Sequence, residues 1–251
     1  MKLTVERDER AFDVAGAWRI IRQILCKRGA VIGLATGQTT GGMHQIVSEI
    51  YRAYPFDTSE VILFNVDELT NLDRSYPGSC FAMIDRQLVQ NLDIPPHHFI
   101  MPLTLSDDFE RECADFERRL TQAGGVDLQI LGIGWNGHIG INQPGTPFGR
   151  QTWVSPMDSV FEARVRRETG VAADYPLGGL TRGIVNIMQS RRIVLAAKGA
   201  AKAEIIRQAL CGPVSEAIPA SALQLHPACE VLLDAEAASL LPTDFVRAHA
   251  S

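Results

Sequence analysis

Asp67 closes an apolar run, EVILFNV over residues 60–66, and a carboxylate partly withdrawn from water at such a place can act as a general base. Asp also commonly caps the turn after a strand, and that reading stays open. Glu68 beside it points to the opposite side if the extended geometry persists. Residues 130–147, ILGIGWNGHIGINQPGTP, place Asn136, His138, Asn142 and Gln143 in a glycine-dense stretch that follows a second apolar run, 126–133. Glycine permits tight turns and close backbone approach to a ligand, and an imidazole titrates near neutrality. A glycine-rich connection carrying a solvated histidine is the plainer alternative. A third stretch, TGQTTGG at residues 36–42, opens a helical pattern, so its free N–H groups and hydroxyls suit phosphate or another anion. A strand-to-helix turn capped by threonine would carry the same residues.

Other chemistries lack their residues. TGQTTGG has no Gly-Lys-Ser/Thr and does not match GxGxxG, so neither a Walker A loop nor a dinucleotide site is supported. No serine sits in a GxSxG elbow, and no HExxH or clustered Cys/His set is present. Of six histidines only His138 lies in a glycine loop after an apolar run. His44, His97, His98, His226 and His249 read as structural or exposed. Arg164, Arg166, Arg167 and Lys202 are cations in an acidic chain; such side chains are mostly solvated, but either group could reach a phosphate.

The elements that must position these residues alternate. Residues 6–28 carry Phe12, Ala15, Ile20, Ile24 and Leu25 at helical spacing. Residues 30–35 (AVIGLA), 60–66, 126–133 and 192–197 (RIVLAA) are short continuous apolar runs, the pattern of strands covered on both faces. Helical patterns cover 43–54, 80–91, 107–122 and 200–210, with Gly124 and Gly125 as a stop after the third of these. Residues 230–233 offer a last strand, and 151–177 are hard to read. Strands alternating with helices in this way predict βαβ units around a mostly parallel sheet in one domain over residues 1–251. In a parallel sheet the strand ends point the same way, so the three polar stretches converge on one crevice.

A chain of 251 residues, 46% hydrophobic and 21% charged, suits a soluble globular fold with a large core. Its net charge of −5 argues against nucleic acid as a partner. Five scattered cysteines without a CxxC pair make a disulfide framework and a zinc site both poor fits, and suggest a reducing, cytoplasmic setting. The charged N-terminus has no apolar signal core, and no apolar run is long enough for a membrane span.

Taken in order, ATGQTT after the first apolar run, FNVDEL after the second and LGIGWNGHIGINQPGTPF after the third resemble the glucosamine-6-phosphate deaminase/isomerase family, which includes galactosamine-6-phosphate isomerases. The resemblance runs from about residue 10 to residue 240, and AIPASALQLHP is similar to the family's C-terminal portion. It implies a Rossmann-like three-layer α/β/α sandwich, no cofactor and no metal. The implied substrate is a 2-amino-2-deoxyhexose 6-phosphate, converted to a ketohexose 6-phosphate plus ammonia. It further implies that Asp67 is the C2 proton-transfer base and that His138, with Asn136 and Gln143, assists ring opening. Thr36, Gly37, Gln38 and Thr39 would form the phosphate loop, Glu68 and Gly137 would border the substrate, and Arg167 and Lys202 would be phosphate cations.

The chain departs from the family pattern at Asn136 (Asp in some members), at Cys80, where the glucosamine enzymes carry an aromatic residue and PGSC resembles the galactosamine branch, and at Gln143, where the pattern has Glu. A glutamine can orient an imidazole but brings no charge to stabilise its cation. Low deaminase activity or a different natural hexosamine phosphate is therefore expected. Two rivals stand beside this reading. One is 6-phosphogluconolactonase, whose pattern after the glycines (GHTASLFP) differs from GHIGINQPG here; the other is a non-catalytic sugar-phosphate sensor. Members include monomers and hexamers, so a homo-oligomer stays open.

Overall fold

The computed structural model describes residues 1–250 and builds them around a sheet of six parallel strands. In chain order come β1 (Lys2–Glu6), α1 (Glu9–Cys26), β2 (Val31–Leu34), α2 (Gln38–Ala53), β3 (Ile62–Asn65), β4 (Asp67–Thr70), α3 (Cys80–Ile84) and α4 (Phe109–Gln122). They are followed by β5 (Leu128–Leu131), β6 (Trp153–Ser155), α5 (Ser159–Thr169), β7 (Gly178–Thr181), α6 (Ile184–Met188), β8 (Ile193–Ala197), α7 (Ala203–Cys211), β9 (Cys229–Asp234) and α8 (Thr243–His249). The spatial order is β1-β9-β8-β5-β2-β3.

The apolar runs are continuous because both faces of this sheet are covered. Ile32 and Leu34 of β2, with Ile130 and Val194, pack under Phe12, Ile20 and Ile24 of α1 and Met43 and Val47 of α2. On the opposite face Leu131, Leu195, Val231 and Leu233 meet Ile205, Ile206 and Leu210 of α7, while Val31 and Phe64 meet Phe116 and Leu120 of α4. Successive strand residues thus serve opposite helix layers, as the period of two requires. This is the expected three-layer α/β/α sandwich.

From β2 the chain moves outward to β3, whereas from β5 it moves the other way through β8 to β9. β2 and β5 are paired neighbours, Ile32 opposite Leu128, so the crevice opens above their carboxyl ends, where the winding reverses.

Several expectations need correction. The charged N-terminus is not merely a lead into the first helix: residues 2–6 form an edge strand registered on β9, Lys2 opposite Glu230. The helix expected from residue 43 begins at Gln38, so most of TGQTTGG is its first turn. The helix expected over 80–91 is α-helical only to Ile84 and then widens into a π turn at Asp85–Val89. Asp67 does not end β3. Val66 links the two sheets, accepting from Arg182 N–H at 2.9 Å while its own N–H donates to Leu34 at 2.9 Å, and Asp67 begins β4.

β4, β7 and β6 form a separate antiparallel sheet, Asp67 opposite Thr181 and Trp153 opposite Thr181 on the other side. Its middle strand reads GGLT, which carries little strand signal. Glycine is needed there because a Cβ on Gly179 would lie 2.0 Å from the Ile141 side chain.

Candidate active site

A cavity of about 660 Å³ lies above the carboxyl ends of β2 and β5 and is closed on its far side by β4 and α5. Thr36, Gly37, Gln38, Thr39, Asp67, Glu68, His138, Gln143 and Lys202 all line it.

At one end stands the mouth of α2. Gly37 takes φ +132°, a conformation L side chains rarely adopt, and turns the chain directly into the helix. The first helical bond is that from Gly41 N–H to Gly37 C=O, 3.2 Å, and no side chain caps the end. The N–H groups of Gln38, Thr39 and Thr40 therefore lack intrahelical acceptors and face the direction in which an anion would be held. Thr40 Oγ1, donating to Ala35 C=O at 2.6 Å, pins the turn. Lys202, in the short turn before α7, reaches the same cavity with its Nζ donating to Ile133 C=O at 2.7 Å; burial pulls its pKa down. One ammonium hydrogen is thereby engaged and two remain for a ligand.

In the middle stands Asp67, half-buried at the start of β4. Its Oδ1 accepts from Asn65 Nδ2 at 2.9 Å and from Cys80 Sγ at 3.4 Å. Burial pushes its pKa up to about 6, against the two hydrogen bonds, which favour the charged form. Glu68 turns away, as the alternation of a strand demands. It is 1% exposed, and its carboxyl accepts from Leu69 N–H (2.8 Å), Cys80 N–H (2.9 Å) and Phe81 N–H (2.6 Å). Burial raises its pKa to about 7, and Glu68 holds the start of α3 rather than presenting a free group.

At the other end is the glycine loop after β5. A Cβ on Gly134 would fall 2.2 Å from the His138 ring, so that glycine makes room for the imidazole. Asn136 Oδ1 accepts from the His138 backbone N–H at 3.2 Å and faces His138 Nδ1 at 2.7 Å. Asn136 Nδ2 in turn donates to Gln143 Oε1 at 3.0 Å. Because Asn136 Oδ1 can only accept, His138 Nδ1 carries the proton and Nε2 keeps its lone pair. Burial lowers the His138 pKa; the Asp158 carboxylate opposes this and the Lys202 charge adds to it. At neutral pH the ring is a neutral acceptor.

Three sequence expectations shift. Gly137, at φ +87°, is not on the cavity; a Cβ there would meet Ile218 at 2.7 Å. Arg167 is exposed on α5 and does not line the cavity, whereas Arg164, one turn earlier on that helix, does. Asn142 is fully buried and structural: Nδ2 donates to Ile139 and Arg182 C=O, and Oδ1 accepts from Trp153 Nε1 at 3.1 Å. Asn65 was missed, although its place two residues before Asp67 in an extended run puts both on one face. Asp158 and Phe161, also on the cavity, fall in the segment without readable periodicity. Among the described residues no group of three or more His, Cys, Asp or Glu is placed to hold a metal ion.

A doubly wound sheet with a carboxyl, a neutral imidazole and an uncapped helix mouth gathered at its switch point is the ligand-site arrangement of an open α/β fold. The chain belongs to the family described as glucosamine-6-phosphate isomerases/6-phosphogluconolactonase, whose model matches residues 14–232. It is 36% identical over 241 residues to glucosamine-6-phosphate deaminase of Halothermothrix orenii, covering 96% of this chain and 100% of that one. The corresponding enzyme of Clostridium botulinum is likewise 36% identical, covering 96% and 99%. A monomeric glucosamine-6-phosphate deaminase superposes with a TM-score of 0.89 at 35% identity, covering 96% of this chain and all of that one. The 6-phosphogluconolactonase of Trypanosoma brucei shares the fold, with a TM-score of 0.76 at 20% identity over 96% and 98% of the two chains.

Proposed function

We propose that the chain deaminates and isomerises a 2-amino-2-deoxyhexose 6-phosphate, glucosamine 6-phosphate first among them, to a ketohexose 6-phosphate and ammonia. The observation that carries this reading is the meeting, in one cavity, of a carboxyl held near pKa 6, an imidazole with a free Nε2 and an uncapped helix mouth beside Lys202. The 6-phosphate sits on the N–H groups of Gln38 and Thr39 and on the Lys202 ammonium, where the helix dipole and the charge both favour an anion. His138 Nε2 takes the anomeric hydroxyl proton as the ring opens and returns it to the ring oxygen. Asp67 Oδ2 then removes the C2 proton from the open aldehyde and delivers it to C1, while a proton of the C2 ammonium passes to O1, leaving a ketiminium at C2. Water replaces nitrogen at C2, and ammonia leaves. The sequence of steps calls for no cofactor, and the family's metabolic role points to the cytoplasm.

Because the base works ionised and burial has raised its pKa to about 6, turnover rises with pH through about 6. The test is ammonia release with ketose phosphate formation from glucosamine 6-phosphate and galactosamine 6-phosphate in parallel, beside hydrolysis of 6-phosphogluconolactone. Ammonia from either hexosamine supports the proposal and selects the epimer. Lactone hydrolysis without ammonia would replace it with the lactonase reading. Saturable binding without turnover would replace it with the sensor reading, which the uncharged Gln143 favours.

A further inference from the structure

The Cys80 thiol lies inside the cavity, 3.4 Å from Asp67 Oδ1 and 3.2 Å from Thr36 Oγ1. An ionised carboxylate has no proton to give, so in the Cys80–Asp67 contact the S–H donates. The sulfur's own hydrogen is then engaged, and in the Thr36 contact the sulfur accepts from the hydroxyl. A directed chain results, from the Thr36 hydroxyl to the Cys80 sulfur and from its S–H to Asp67 Oδ1. It joins the loop at the mouth of α2 to the candidate base. Asn65 Nδ2 donates to the same Oδ1 and also to the Asp67 backbone carbonyl, each at 2.9 Å. Both side-chain donors thus fall on one oxygen, and among the described residues none donates to Oδ2.

We propose that Cys80 is a positioning residue: its S–H, with the Asn65 amide, locks the Asp67 carboxyl so that Oδ2 is the oxygen offered to the sugar, and ties it through Thr36 to the anion-binding loop. The inference rests on the reading of Asp67 as the proton-transfer base. It excludes a nucleophilic role for the thiol, since burial and the neighbouring Glu68 and Asp67 carboxyls hold it well above the usual thiol range. The groups that can act on Asp67 are few. Glu68 is its neighbour on β4, Cys80 faces it from α3, and His138, Lys202, Asp158 and Arg164 border the same cavity from the other elements.

The test compares Cys80→Ala and Cys80→Ser with the parent chain. Removing a donor to the charged form favours the protonated carboxyl, so Cys80→Ala moves the rising limb of the kcat/KM pH profile to higher pH. Loss of one hydrogen bond of this kind lowers kcat about 3- to 10-fold and leaves KM within about 2-fold. Cys80→Ser, whose hydroxyl is the stronger donor, restores kcat and returns the limb toward the parent position. A merely structural residue would leave the profile in place and alter only thermal stability. Carbon-13 NMR titration of the Asp67 carboxyl in the three proteins reads the same shift without turnover. If the parent releases no ammonia the functional reading fails, while a titration that moves with residue 80 still upholds the locked carboxyl. A titration and a profile identical in Cys80→Ala and the parent would overturn the positioning role whatever the substrate.

Discussion

At the scale of single residues, the uncharged pair Asn136–Gln143 stands behind His138. The amide oxygen of Asn136 fixes the imidazole tautomer, and Gln143 fixes Asn136, so the ring is oriented by groups that bring no charge to its cation, and the charge that favours that cation is the Asp158 carboxylate on the same cavity. Gln143→Glu places a carboxylate at the end of this relay, where a charge-assisted bond to Asn136 and a nearby negative charge stabilise imidazolium as ring opening proceeds. Turnover of the hexosamine phosphate should rise about 3- to 30-fold, equivalent to roughly 1–2 kcal/mol, and the His138 limb of the pH profile should move upward. Steady-state kinetics decide the matter; unchanged kcat in a folded variant that still binds substrate would remove the relay from the account. His138, Asn136 and Gln143 were legible in the sequence because an imidazole and amides in a glycine loop after an apolar run are unusual. Arg164 was not distinguishable from Arg167: which arginine of a helix faces a cavity depends on how the helix is rotated, and 151–177 carries too few apolar residues to set that angle.

At the scale of elements, α3 shows how a buried carboxyl can build a site it does not serve chemically. Its first N–H groups, on Cys80 and Phe81, lack helical acceptors, and Glu68 supplies one. Ser79 completes the cap by accepting from Ala82 N–H at 3.0 Å. Anchoring this end also anchors Cys80 beside Asp67. Glu68→Gln keeps the shape but offers an NH2 where one backbone N–H now finds an oxygen. Two donors then face each other, and stability measured by urea unfolding at pH 8 should fall by about 1–3 kcal/mol. An unaltered midpoint would show that the contact contributes nothing. Five of the six strands of the parallel sheet were readable because continuous apolar runs are their direct consequence; β1, an edge strand reading KLTVE, has no such run and was not. The antiparallel sheet was not, because its strands are four, four and three residues long and one begins with two glycines, chosen for the close approach of Ile141 rather than for strand propensity.

At the scale of the whole molecule, pH acts through buried groups of opposite sense. His44, fully buried in α2 with Nδ1 on Gln87 at 2.8 Å, has its pKa pulled by burial to about 4, below the value near 6.5 expected of the unfolded chain. Below 6.5 the unfolded state therefore binds the proton first. The stability held by neutral His44 is complete above that pH and is lost as pH falls through 4, on the order of 3 kcal/mol in all. Asp67 and Glu68, raised to about 6 and about 7, work the other way: their contribution is present below their unfolded values near 4 and disappears as pH rises through 6 to 7. Between pH 4.5 and 7 the two slopes oppose each other, but two carboxyls outweigh one imidazole, so the parent chain loses stability with rising pH more slowly than the carboxyls alone would dictate. His44→Asn removes one of them, and its urea midpoint should fall steadily across that range. Parallel curves for variant and parent would place the titration elsewhere.

Val66, hydrogen-bonded to Leu34 on one side and Arg182 on the other, is the single residue between the parallel sheet and the antiparallel one. The candidate grip on the phosphate and the imidazole are mounted on the first sheet, and the candidate base on the second. The reaction centre is thus a joint rather than a pit in one rigid body. Its working distance is set by how two separately built plates meet, so substitutions at that seam, remote from any ligand, would retune the chemistry without touching a catalytic group.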